Sequence, residues 1–181
     1  QLWIGRMGMD RAAEGRWIMS SGELTLKGRD PEQLFIGDKC RGRMEVNGGR
    51  VEIYGGARVG CSEAYSVYHG TETFTESNGT LLFNNGQLSI YGILEIGADG
   101  ASGRVLLNGG QIRAFDLRME ENGLLFITGG RLILEGNKTA AIQDLMNTGY
   151  IQSADRDVLI EYDELGVYGY GSDKTIVSIK E

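Results

Sequence analysis

One motif recurs along this chain regularly enough to decide its architecture: an apolar strand ending in Ile-Gly or Val-Gly, a strand running into Asn-Gly-Gly, then a third strand. It is clearest in Leu34-Phe35-Ile36-Gly37, Met44-Glu45-Val46-Asn47-Gly48-Gly49 and Val51-Glu52-Ile53-Tyr54-Gly55. It returns in Leu94-Glu95-Ile96-Gly97, Val105-Leu106-Leu107-Asn108-Gly109-Gly110 and Ile112-Arg113-Ala114-Phe115. A unit this thin cannot bury its own core, so units must stack on one another. Three short strands per unit, bent at glycines, predict an all-β chain folded as a right-handed parallel β-helix of about six layers.

The 29 glycines in 181 residues fall at repeated positions. That is the pattern of turns needing positive φ, whereas a linker would cluster them. Aligned on the glycine that opens the third strand, the units carry Gly22, Gly49, Gly86, Gly110 and Gly130, with a degenerate sixth near Gly149. Spacings of roughly 20 to 25 residues fit one compact layer, and the longer intervals predict insertions near 6–15 and 61–79. The repeat fades after Gly136, and 137–181, with Tyr150, Tyr162, Tyr168 and Tyr170, is expected to form an irregular last layer and a cap over the open edge. The chain opens in mid-pattern at Leu2-Trp3-Ile4-Gly5, which predicts one domain over 1–181 taken from a larger multidomain protein.

Alternation along each strand sorts residues in or out. First strands point Leu2, Leu34, Ala57, Leu94 and Leu117 inward, with Ile4, Ile36, Val59, Ile96 and Met119. Second strands give Trp17, Met44, Leu81, Val105 and Leu125, with Met19, Val46, Phe83, Leu107 and Ile127. Third strands give Val51 and Ile53, Leu88 and Ile90, Ile112 and Ala114, Leu132 and Leu134. A polar column, Ser20, Asn47, Asn84, Asn108 and Thr128, precedes the glycine turn and is expected to hold register as a hydrogen-bonded ladder.

The outward columns are the candidate surface. Lys27, Tyr54, Tyr91, Phe115 and Glu135 end the third strands, so Tyr54, Tyr91 and Phe115 are expected to form an aromatic ladder. Beside it, Arg58, Glu95 and Arg118 form a charged ladder, continued toward the N-terminus by Phe35 and Trp3. Flat aromatic faces pack on sugar rings while Arg and Glu bond the hydroxyls, and regular spacing suits a repeating polymer. Cross-strand stabilisation alone explains the same ladders, and both roles stay open. Tyr65 and Tyr68, in the insertion, are candidates to close one edge of the site. A further outward column, Ile18, Glu45, Leu82, Leu106 and Phe126, is apolar enough to predict a cover, either the insertion or a partner domain.

A net charge of −7 argues against nucleic acid as a partner, since phosphate neutralisation needs clustered Lys and Arg. No apolar run reaches membrane-spanning length, so no membrane partner is expected. Cys40 and Cys61 follow strand ends in successive layers; a disulfide between them and two thiols are equally open. Of the acids Glu95, Asp116, Glu120 and Glu121, none stands in a recognisable acid–base pair, and lone His69 has no triad partners, so no catalytic residue is expected. Gly97-Ala98-Asp99-Gly100 offers oxygen ligands after a strand end, but matches no calcium motif, and no metal or cofactor is assigned.

The segment from Leu34 to Gly136, through Ile36-Gly37 with Asn47-Gly48-Gly49 and Ile96-Gly97 with Asn108-Gly109-Gly110, resembles the glycine-rich β-helix repeats of bacterial surface and autotransporter-like proteins. The whole layout also resembles β-helical carbohydrate-binding modules that accompany bacterial xylanases. That resemblance implies a secreted or cell-surface, noncatalytic module that binds xylan or a related plant polysaccharide and is covalently linked to a catalytic domain. The alternatives are a structural or adhesive segment of a bacterial surface protein and, third, a fragment of a polysaccharide lyase or glycosidase.

Overall fold

Where one strand hands over to the next, two backbones approach too closely for a side chain. Gly37 bends the chain with φ +75°, and a Cβ on Gly42 would fall on the backbone of Gly37 and Ile4. The computed structural model describes residues 1–6, 14–62, 77–164 and 173–180. Within them the first two repeats supply β1 (Leu2–Arg6), β2 (Gly15–Met19) and β3 (Glu23–Leu26), then β4 (Glu32–Asp38), β5 (Arg41–Val46) and β6 (Arg50–Ile53). β7 (Gly56–Cys61) and β8 (Asn78–Phe83) follow. β9 (Gln87–Ala98) then runs unbroken from a third-strand position into the next first-strand position, and β11 (Gln111–Met119) does the same after β10 (Ser102–Leu107). β12 (Gly123–Ile127) and β13 (Arg131–Glu135) complete the repetitive part.

The chain is all-β with parallel sheets. Each of these strands pairs in parallel with its counterpart one repeat away, β1-β4-β7-β9-β11 and β3-β6-β9 in one sheet and β2-β5-β8-β10-β12 in another. The registers place the expected columns residue for residue. Leu2, Leu34, Ala57, Leu94 and Leu117 are in line, as are Trp17, Met44, Leu81, Val105 and Leu125. The third strands align Leu24, Val51, Leu88, Ile112 and Leu132. All join one continuous core. Burying each Leu or Ile contributes about 1.5–3 kcal/mol, and a slip of one residue would turn a whole column to water, so the pattern fixes the register.

The polar column is a ladder over most of its length. Asn47 Nδ2 donates to Glu45 Oε1 (3.2 Å), Asn84 Nδ2 to Asn47 Oδ1 (2.7 Å), Asn108 Nδ2 to Asn84 Oδ1 (2.8 Å) and Thr128 Oγ1 to Asn108 Oδ1 (2.8 Å).

The C-terminal part departs from the repeat in a way the strand pattern did not anticipate. α1 (Thr139–Asn147) sets Ile142, Leu145 and Met146 against the core, the i, i+3, i+4 spacing of one helix face. It ends in a Schellman motif: Gly149 at φ +80° donates to Met146 O and Tyr150 to Leu145 O. Gly149 therefore caps a helix and does not open a third strand. It lies two residues before Ile151 of β14 (Ile151–Gln152), as Gly123 lies two before Leu125, and those two strands pair in parallel. β15 (Val158–Asp163) and β16 (Lys174–Ile179) form an antiparallel pair, and β16 lies antiparallel to β13, covering its edge. Tyr168 and Tyr170 lie outside the described residues.

Cys61 is in register with Asp38 and Ala98, while Cys40 sits past the turn that follows Asp38, and no disulfide joins them. Both are buried; the Cys61 thiol lies 3.8 Å from Asp38 Oδ1. In the apolar outward column Ile18 is exposed, whereas Leu82, Leu106 and Phe126 are half-buried. The insertion expected to cover them lies almost wholly outside the described residues. No helix among the described residues is long and apolar enough to cross a membrane.

Candidate functional site

The aromatic column begins as expected. Tyr54 and Tyr91 occupy equivalent corners in successive repeats, each within a four-residue step between core positions, Ile53 to Ala57 and Ile90 to Leu94. Strand spacing of about 4.8 Å then brings their rings face to face, with centroids 4.7 Å apart and 27° between planes. Lys27 Nζ closes the far face of Tyr54 at 4.2 Å from the ring centre.

Phe115 does not continue the stack. Its corner is one residue shorter, from Ala114 to Leu117, so Tyr91 and Gly92 together stand opposite Phe115 and the register shifts between Ala114 and Asp116. The shift opens a slot of about 150 Å³ between Tyr91 and Phe115, lined also by Ser89, Arg113 and Glu135. That volume equals roughly five waters. Both rings are more than half exposed, Tyr91 at 56% and Phe115 at 58%.

The slot is framed by polar groups. Arg113 donates from Nε (3.2 Å) and Nη2 (3.0 Å) to Glu135 Oε1. The Tyr91 hydroxyl donates to Glu52 Oε1 at 3.4 Å, and that oxygen also accepts from Arg50 at 2.6 Å. Partial burial and then the Glu52 carboxylate raise the Tyr91 phenol above its ordinary value, so it stays a neutral donor at neutral pH. Glu135 also pairs with the fully buried Lys174. Glu52, Ser89 and Arg113 were missed in the sequence, although each lies two residues before an outward aromatic or its equivalent and so shares its face.

The charged column is closed on itself. Glu95, 8% exposed, lies 2.8 Å from Arg58 Nε and 3.4 Å from Arg118 Nη1. Arg58 also reaches within 3.8 Å of Glu32 and of Asp99. Only Arg118 of the three presents a largely exposed side chain, at 60%. Beyond Arg58, Phe35 is buried against Cys61 and Ala98, and Trp3 stacks on it at 3.8 Å and 6°. Tyr65 and Tyr68 lie outside the described residues, as does His69.

Asp116 and Glu120 have structural partners as well. Asp116 lies 3.1 Å from Lys138 Nζ, and Glu120 Oε2 accepts the Asp99 N–H at 2.9 Å, bracing the turn where Asp99 adopts φ +57°. Among the described residues no three His, Cys, Asp or Glu side chains gather as a metal site.

No family model matches the chain, and neither a curated protein nor a solved structure matches it.

Proposed function

We propose that the repeats coil as a right-handed parallel β-helix of about six layers and that the molecule is a noncatalytic polysaccharide-binding module, with plant cell-wall xylan as its ligand. The coil is supported by the pairing of every first, second and third strand with its counterpart in the next repeat. The observation that carries the function is the slot between Tyr91 and Phe115, an aromatic-walled opening on an outer strand face with Arg113, Ser89 and Glu135 beside it. A sugar ring packs against the free face of Tyr91 while these groups and Arg118 bond its hydroxyls. Arg58 and Glu95 hold Arg118 in place, and Tyr65 or Tyr68 closes an edge. The module acts outside the cell, joined to a catalytic domain that it brings to its polymer.

Native electrophoresis through gels containing xylan, mixed-linkage glucan, mannan or pectin tests this, with the same mixtures assayed for released sugar. Retardation by xylan without product is expected. No retardation in any gel overturns the reading in favour of a structural or adhesive segment, whose contact face would be the Leu82, Leu106 and Phe126 column.

A further inference from the structure

A second opening lies on the same outer face, about four residues along the strands from the slot and therefore roughly 13 Å away. It is a groove of about 920 Å³, within the range of ligand sites. Its floor is a column that crosses five adjacent strands in register: Gln87, Gln111, Arg131, Ser178 and Leu159. At about 4.8 Å per strand the column is roughly 19 Å long, several sugar units rather than one small ion. Arg156, Lys180, Glu161 and Ile176 complete the lining that matters here.

The charge of this groove opposes that of the chain. Among the described residues Arg131, Arg156 and Lys180 line it against the one carboxylate of Glu161, in a protein of net charge −7. Asp155 and Asp157, on either side of Arg156, do not line it. Among the described residues the side chains of Arg131, Arg156 and Lys180 make no ion pair, in contrast to Arg58, Arg113 and Lys174. Charge farther than about 8 Å is screened at physiological salt; nearer by, Asp155 lines the adjoining opening that shares Arg156 and Thr128, and the groups on the groove's own walls keep a cationic excess. Amide and hydroxyl groups of Gln87, Gln111 and Ser178 suit sugar hydroxyls, and Leu159 and Ile176 offer apolar contact for ring faces.

We infer that this groove is a second subsite for an acidic polysaccharide, with Arg131 and Arg156 pairing with uronic-acid carboxylates on the chain that also occupies the aromatic slot. The inference rests on the polysaccharide reading and adds to it the charge of the ligand.

The test compares retention by glucuronoxylan, by the same polymer after its carboxyl groups are reduced to alcohols, and by dextran sulfate. Carboxyl reduction is expected to weaken binding about tenfold, the scale of a lost charged hydrogen bond. The Arg131→Gln, Arg156→Gln double variant is expected to erase that difference, with Arg131→Lys keeping part of it. Both arginines are exposed, so the variants should fold, as circular dichroism will check. Equal binding of native and reduced polymer overturns the inference and leaves the polysaccharide reading standing. So does a double variant that keeps the full preference. Dextran sulfate binding as tightly as glucuronoxylan also overturns it, since that is generic anion exchange. Failure of all three polymers to bind removes both readings together.

Discussion

Two ladders run side by side over the outer surface, and they end differently. In the charged one, Arg58, Glu95 and Arg118 alternate in sign and in register, so each carboxylate oxygen of Glu95 meets a guanidinium and the column is spent on itself. In the aromatic one, Tyr54 and Tyr91 stack in the same self-sufficient way, but the shorter corner at Phe115 breaks the sequence of faces and leaves the slot. Regular stacking satisfies side chains with their own neighbours. In these two ladders, an opening arises where the register slips.

That contrast gives four expectations, taken from the largest effect down. Glu95→Ala leaves two arginines facing each other across the former carboxylate and should cost about 3 kcal/mol in urea unfolding, while the folded variant still binds xylan, weakened only by the loss of the carboxylate that holds Arg118. Loss of binding in step with stability would mean that the charged ladder is itself the site. Tyr91→Ala removes a wall of the slot and half of a ring stack. It should weaken xylan retention about tenfold and stability by about 1 kcal/mol. Phe115→Ala should separate the two effects, because Phe115 belongs to no stack: retention falls several-fold while unfolding moves by less than about 0.5 kcal/mol. An equal loss of stability would show that Phe115 is part of the packing after all.

The smallest expectation concerns acid. Glu45 is held below its ordinary value chiefly by the Asn47 amide; burial opposes that next, and Arg16 and Arg43 add to the lowering. A carboxyl depressed in the folded state contributes stability above its unfolded value near 4.5, and that contribution is lost as pH falls through the folded value. Glu45→Gln should therefore flatten the acid limb of the stability curve slightly, and a curve identical to the parent's would place the ladder's end elsewhere.

Most of the repetitive fold was legible because two periodicities agree there: alternation names the core residues, and the turn glycines mark the repeats. A second glycine column, Gly15, Gly42, Gly79, Gly103 and Gly123, went unread although each member lies seven residues ahead of a turn glycine. Those glycines are the first or second residues of the second strands, where backbones touch. The helix over Thr139–Asn147 was obscured because a single turn-and-a-half of apolar spacing is easily absorbed into a degenerate repeat. Of the site, the Tyr54–Tyr91 stack was readable from column arithmetic. The slot was not, because it depends on one residue fewer between Ala114 and Leu117. The groove was hidden for a different reason: its floor joins parallel strands to an antiparallel pair that no repeat foretells.

The ladder from Thr128 to Glu45 has a sense of direction. Each donor hands its hydrogen toward the N-terminal neighbour, Thr128 to Asn108, Asn108 to Asn84, Asn84 to Asn47, and the last donor ends on a carboxylate. Aligned amides polarise one another, so the string behaves as a one-way wire whose negative terminus is Glu45. A change at Thr128, three rungs from Asn47, should therefore be heard in the acidity of a side chain it never touches.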